Sequence, residues 1–344
     1  MSGFEVDAAG RGRQGSIFSP GDLVRARFRV EELIGRGGMG EVYRVENLSS
    51  GDVLALKVVQ PDLLGSSRTR TRFEREVDHT RRISHPNVVR IVDFFHEPPP
   101  GDLDAEPMPC LVMEYLAGET LADHLARRGP MSSEEATPLL CQMAAALSAA
   151  HRVGIVHRDL KPDNVFLVPP SSEESERGPR VVLTDFGVAR EERPGSLDES
   201  ELTATDVLLG TPDYMAPEQL DLEEAIPASD IYALGLVAYQ MVTGHLPFED
   251  ERPLEALFRR VREKAPPIRL HDPEVDPGFE AAVMNCLARD PRNRTSDAQD
   301  FLRELDPSSP LRVRRGPRPE HLAAVGVVLA LVVAVAILVW LYAG

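Results

Sequence analysis

Gly35, Gly37 and Gly40 form the spacing G-x-G-x-x-G, and the residues that follow turn back as a strand instead of opening a helix. Glycine lets a strand turn approach phosphate groups with no Cβ in the way. Dinucleotide-binding folds use the same spacing, but there it has to lead into a helix. Here Glu41 to Val45 alternates as a strand, and seventeen residues past Gly40 comes Lys57, inside a further apolar strand from Val53 to Val59. A strand lysine is by default an exposed charge. Behind a glycine turn built for phosphates, it points to a phosphate contact.

The rest of the pattern sorts into a β-rich front and a helical back. Phe28 to Leu33 and Gly40 to Val45 flank the glycine turn, Arg70 to Ile83 has a partial helical period, and Asn87 to Phe95 and Cys110 to Glu114 read as strands. From there the periodicity is helical: Glu134 to His151 with an alanine-rich face, the strongly apolar Pro227 to Thr243, then Leu254 to Glu263 and Phe279 to Ala288. The expected class is therefore α+β. Two polar, acidic stretches interrupt it: Pro169 to Arg180, before a strand Val181–Thr184, and Glu191 to Asp206, rich in Ser and Thr. The second is longer than an ordinary connection, which predicts either disorder or a function.

Composition excludes some roles. A net charge of -17 argues against a general nucleic-acid binder, which needs basic surface to neutralise phosphates. Cys110, Cys141 and Cys286 lie far apart without C-x-x-C spacing, so they read as ordinary thiols of a reducing compartment. Residues 1–24 are expected to be disordered, and no apolar leader opens the sequence. From Leu322 to Ala343 no residue is charged. A helix of that length reaches about 33 Å, enough for a hydrocarbon core of about 30 Å. Arg312, Arg314, Arg315 and Arg318 lie in the Pro/Arg-rich linker 307–321, and Trp340 and Tyr342 sit near the far end. Basic flanks favour the cytoplasmic side. The expectation is a single-pass anchor of residues 322–343 in the cell (inner) membrane, with everything before it cytoplasmic and the C-terminus at the outer face.

His157-Arg158-Asp159-Leu160-Lys161-Pro162-Asp163-Asn164, followed by Asp185-Phe186-Gly187 and by Ala216-Pro217-Glu218, completes a set of motifs in fixed order with the glycine turn and Lys57. From about Phe28 to Leu305 the chain resembles eukaryotic-type (Hanks-type) protein serine/threonine kinases, in their bacterial membrane-anchored branch. The resemblance implies a bilobal fold over residues 25–306, with a β-rich lobe to about 115 and a mainly helical lobe from 116. It implies ATP and Mg²⁺ (Mn²⁺ stays open) and protein substrates with Ser or Thr acceptors. Asp159 would orient the substrate hydroxyl and accept its proton, Lys161 would stabilise the transferring group, and Asn164 and Asp185 would ligate metal. His157 would be a packed scaffold residue rather than a base. Gly35, Arg36, Gly37, Gly38, Met39, Gly40, Val42 and Ala55 would surround ATP, with Lys57 on its α and β phosphates. Met113, Glu114 and Leu116 would form the adenine hinge. The acid paired with Lys57 would be Glu76, nine residues before His85, with Glu74 as the alternative.

Lys161 and Thr211 carry the serine/threonine pattern within this resemblance. Arg158, next to Asp159, implies control by activation-loop phosphorylation, for which Thr203 and Thr205 are the expected sites. Asp230 would cap the catalytic-loop backbone, and Arg294 would pair with Glu218. A homodimer for trans-autophosphorylation is open by family likeness. Related receptors carry an external sensor beyond the span, which this sequence lacks, so input from a membrane partner or the cytoplasm is the expectation. A pseudokinase binding module and a membrane scaffold are the other readings, neither of which uses the full phosphate machinery.

Overall fold

The computed structural model describes residues 16–37, 40–59, 74, 77, 80–102, 106–170, 178–186, 212–220, 225–249 and 253–305. The first lobe is an antiparallel sheet in the order β1-β2-β3-β4-β6-β5. Its strands are β1 (Leu23–Val24), β2 (Phe28–Gly37), β3 (Gly40–Asn47), β4 (Val53–Val59), β5 (Ile91–Glu97) and β6 (Met108–Glu114). Strand alternation sends Phe28, Val30, Tyr43, Val45, Leu56 and Val112 to one buried face. There Phe28 stacks on Phe95 with ring centroids 5.9 Å apart. Residues two apart on β3 share a face and neighbours face oppositely, so Val42 and its cross-strand partner Lys57 lie on the other side.

The disorder expected for residues 1–24 is corrected for residues 16–24. Gly21 N–H donates to Val30 O at 2.8 Å, Val30 N–H donates to Asp22 O at 2.9 Å, and β1 pairs with β2. Phe18 and Val24 are buried in the sheet's apolar face. A polar, glycine-rich composition concealed this, because only two large apolar side chains are needed to seat an edge segment. Residues 1–15 lie outside the described residues.

The second lobe carries a small sheet, β7 (Glu119–Thr120), β8 (Val165–Val168) and β9 (Arg180–Leu183), in that order. Its helices are α1 (Leu121–Arg128), α2 (Ser133–Arg152), α3 (Pro217–Leu220), α4 (Pro227–Thr243), α5 (Pro253–Arg262), α6 (Pro277–Cys286) and α7 (Ala298–Leu305). Sequence signals explain the ends. Ser132 and Glu135 form a capping box at the start of α2, Pro227 opens α4, and Gly244 closes it in the left-handed region at φ 76°. Beyond its first turn helix α4 is mostly apolar on every side, and it is buried on every side, packed on α2 and α6. Gly235 allows the α6 contact: a Cβ there would lie 2.7 Å from Cys286 Cβ.

Helices α1 and α7 and the short strands β1 and β7 were not foreseen, being too brief for a period to declare itself. Of the described residues in the stretch 70–83, Glu74, Val77 and Thr80 are helical, while Arg81 and Arg82 form the turn that follows and Ile83 lies beyond it. Among the described residues no helix is long and apolar enough to cross a membrane. The expected linker 307–321 and span 322–343 lie outside them.

Candidate active site

Two residues here hold backbone conformations that non-glycine residues avoid: Arg158 at φ 68° and Asp185 at φ 54°. Such geometry costs about 1–3 kcal/mol and persists only where the surroundings enforce it. Asp230, buried in the first turn of α4, does much of the enforcing. Its Oδ2 accepts from His157 N–H at 2.8 Å and lies 2.7 Å from His151 Nε2, while its Oδ1 accepts from Arg158 N–H at 3.0 Å. The His157 ring is fully buried, 4.4 Å from Phe186 between centroids. Burial pulls its pKa below the ordinary histidine value, which keeps it neutral.

Downstream of this anchor the polar side chains converge. Asn164 Nδ2 donates to Asp159 O at 2.7 Å and to Asp159 Oδ2 at 3.1 Å. Lys161 Nζ sits 3.0 Å from the same Oδ2. Thr184 N–H donates to Asn164 O at 3.0 Å, which ties the end of β9, and hence Asp185, to the loop. Lys57 crosses from the first lobe to meet Asp185 Oδ1 at 2.5 Å. Enclosure by protein atoms would raise the Asp185 pKa, but Lys57 in particular holds it below the usual carboxylate range. About two-fifths of the Asp185 side chain still opens to solvent (43%), against 14% for Lys57.

Above this cluster lies the glycine hairpin, with Gly35 opposite Val42 and Gly37 opposite Gly40. Gly40 is obligatory: φ is 143°, and a Cβ would stand 1.9 Å from Val58 O. Arg36 pairs with Glu41 across the hairpin, and Gly38 and Met39 lie outside the described residues. Ala55 is buried on β4 opposite Met113 on β6, which leads to Glu114 and Leu116. The Glu114 carboxylate accepts from Arg90 N–H at 3.0 Å and lies 3.2 Å from Arg180 Nη2. Glu76 lies outside the described residues. Glu74, its alternative, is engaged elsewhere, 3.3 Å from His96 Nε2. Thr203, Thr205 and Thr211 are likewise outside them.

A second polar centre sits beneath. Arg294 and Glu218 form a bidentate pair at 2.6 and 2.5 Å, and Ser229 Oγ donates to Glu218 at 2.7 Å. The remaining guanidinium donors reach Ala288 O, Ala228 O and Arg289 O, so all five are used. Burial raises the Glu218 pKa, but Arg294 more than reverses it, leaving it below the ordinary value. The Arg260 side chain, also buried, donates to Met215 O at 3.2 Å, at the edge of the same motif.

Some positions that build the site carry no recognisable signal. Gly118 lets β7 meet β8, because a Cβ would lie 2.2 Å from Leu167 O. Asn87 Nδ2 donates to Val181 O at 2.7 Å and to Gln142 Oε1 at 2.8 Å, while Val89 and Leu183 N–H groups pair the two lobes. Glycine in a loop and amides at separate points of the chain are too common to single out in one sequence.

Residues 28–304 match the family model described as a protein kinase domain. Serine/threonine-protein kinase pkn3 of Myxococcus xanthus is 35% identical over 312 residues, covering 90% of this chain and 55% of that protein. Serine/threonine-protein kinase pkn2 of the same organism is 39% identical over 292 residues, covering 84% of this chain and 33% of that protein. This chain thus spans about a third to a half of the length of these relatives. The crystal structure of the Mycobacterium tuberculosis PknI kinase domain superposes with a TM-score of 0.62 at 25% identity, covering 84% of this chain and 98% of that one. Motif order, two-lobed architecture and the matched family model agree: the chain belongs to the protein kinase domain family.

Proposed function

We propose that the chain is an ATP- and Mg²⁺-dependent serine/threonine protein kinase. The observation that carries this is the convergence of Asp159, Lys161 and Asn164 with the Lys57–Asp185 pair beneath a glycine hairpin. The donors fit a hard divalent cation: a carboxylate on Asp185, and on Asn164 an amide whose nitrogen is committed to Asp159, leaving its oxygen as the ligand atom. Asp185 and Asn164 would hold Mg²⁺, which would supply positive charge to neutralise the phosphates of ATP. Mn²⁺ would satisfy the same oxygens.

Within this reading Asp159 receives the proton of the acceptor hydroxyl, and Lys161 places positive charge beside it. Asn164 fixes the Asp159 carboxylate, so the base is oriented before substrate arrives. Lys57 meets the α and β phosphates and Glu76 is its carboxylate partner. Gly35, Arg36, Gly37, Gly38, Met39, Gly40, Val42, Ala55, Met113, Glu114 and Leu116 enclose the nucleotide. Serine and threonine are the favoured acceptors because of Lys161 and Thr211, and phosphorylation at Thr203 and Thr205 raises activity. Residues 322–343 anchor the chain in the cell membrane with the catalytic lobes cytoplasmic, and trans-autophosphorylation proceeds in a homodimer.

The test is phosphate transfer from ATP to a generic Ser/Thr protein and to the chain itself. Asp159→Asn should lower the rate about 10²- to 10⁴-fold, the usual worth of a positioned base. No transfer by the wild type, with ATP binding intact, would leave a nucleotide-binding module. Wild-type activity in Thr203→Ala/Thr205→Ala would discard those sites. Salt- and carbonate-resistant membrane association should disappear on truncation after residue 306.

A further inference from the structure

Glu41 is a buried carboxylate that the chemistry above does not use; its side chain is 4% exposed. It occupies the returning arm of the glycine hairpin, between Gly40 and Val42. Three separate stretches donate to it. Arg36, from the other arm of the hairpin, reaches Oε1 with Nε at 2.8 Å and Nη2 at 2.7 Å. Ile17 N–H, from the edge segment, reaches Oε2 at 2.8 Å. The Tyr43 hydroxyl donates to the same Oε2. Phe18 then completes the contact: its N–H donates to Tyr43 Oη at 2.9 Å and its ring meets the Tyr43 ring edge-on at 5.7 Å.

Strand alternation puts the Glu41 and Tyr43 side chains on the face opposite Val42 and Lys57, so the carboxylate itself is turned away from the phosphate-facing side. An unpaired carboxylate at that depth would be costly, whereas an apolar side chain would need no partner of its own. What the carboxylate does that an apolar residue cannot is bind both arms of the hairpin and the N-terminal segment to one point. Burial pushes its pKa up, but the donors from Tyr43, Ile17 and Arg36 outweigh that and keep it ionised.

We infer that Glu41, held by Ile17 directly and by Phe18 through Tyr43, is a positioning residue that sets the phosphate-facing hairpin from its outer side. This rests on the reading of the hairpin as the ATP site. It predicts a KM-type effect: the hairpin's height above the cleft governs nucleotide affinity, while the base and the acceptor site belong to the other lobe.

The experiment compares the full chain with Glu41→Gln, Tyr43→Phe and Phe18→Ala. It measures the Kd of a fluorescent ATP analogue, KM for ATP, KM for a peptide substrate, kcat and the nucleotide-free melting temperature. Glu41→Gln and Phe18→Ala should raise both the ATP Kd and KM about 5- to 30-fold, the scale of one charge-assisted hydrogen bond. The peptide KM and kcat at saturating ATP should stay within about two-fold. A lower melting temperature with unchanged ATP affinity would make the cluster merely structural and overturn the inference. If Glu41→Gln does not fold, Phe18→Ala and Tyr43→Phe decide between those outcomes. Failure of the wild type to bind the analogue would instead strike the ATP reading itself.

Discussion

Two buried carboxylates, Glu218 in the helical lobe and Glu41 in the sheet lobe, are solved in different ways. Glu218 faces an arginine with 0% side-chain exposure whose five donors all have acceptors. Glu41 faces Arg36, 48% exposed, and a backbone N–H of an edge segment. The first arrangement has no slack, since every donor would have to find a new acceptor for any part to move. The second shares its partners with solvent and with a segment held by few side chains. Under the proposed function, the helical lobe would give the reacting groups fixed geometry, and the sheet lobe would be an adjustable cover over ATP.

The sharpest way to break this contrast is to remove one partner from the rigid pair. Arg294→Met leaves Glu218 buried without its cation, which should cost about 3–5 kcal/mol in urea unfolding. Replacing both, as Glu218→Leu/Arg294→Met, should recover most of that loss. If the single variant costs less than the double, the pair is not the constraint described. The acid limb gives an independent check. Because the folded-state pKa of Glu218 is depressed, its contribution is complete above about pH 4.5 and is lost as pH falls through the folded value. Glu218→Gln should therefore show a flatter decline in stability below pH 4.5 than the wild type.

Next in size is Asp230→Asn. An amide can accept from one of the His157 and Arg158 N–H groups but presents its own N–H to the other, so the left-handed residue at 158 loses part of its support. Displacement of the catalytic loop by about 1 Å is enough for a loss of about 10²-fold in kcat. The ATP KM should move little, the reverse of the pattern expected at Glu41. Equal changes in both constants would erase the division of labour between the lobes.

How far the sequence revealed this division depends on how local each constraint is. Lys57, Asp159, Asn164 and Asp185 could be expected to share one site because their motifs, in that order, resemble those of protein kinases, and the structure brings Lys57 onto Asp185 and Asn164 onto Asp159. Helix α4 was legible because the run Ile231 to Tyr239 carries no charged side chain and is long enough for a buried helix. The packing of Phe18 on Tyr43 was not, because the contact joins residues 25 apart through a segment whose composition reads as disordered. Gly118 was missed for a related reason: its close approach to Leu167 O exists only once β7 lies beside β8. Gly118→Ala should accordingly lower stability by about 1–3 kcal/mol, as overpacking does, and weaken ATP binding by shifting the hinge. An unchanged urea midpoint would show that the strands can part freely there.

The smallest effect tests whether the adjustable cover can be tightened. Arg25 and Ala26 both adopt left-handed backbone, at φ 53° and 49°, in the turn between β1 and β2. Arg27 N–H closes that turn on Val24 O at 3.1 Å, and Arg25 N–H donates to Glu97 Oε1 at 3.0 Å. Ala26 gains nothing from its methyl group and bears the steric penalty that L-residues carry in this region, whereas glycine bears none. Glycine also enlarges the unfolded ensemble, so the net gain from Ala26→Gly should be only about 0.5–1 kcal/mol. Arg25 keeps its contacts in this variant, which isolates backbone strain from charge. An unstrained turn should hold Ile17 and Phe18 more firmly on Glu41 and Tyr43, lowering the ATP KM by up to about two-fold at unchanged kcat. A rise in melting temperature without that change in KM would mean that the turn is strained but does not communicate with the hairpin, and the edge segment would then act on the hairpin through Glu41 alone.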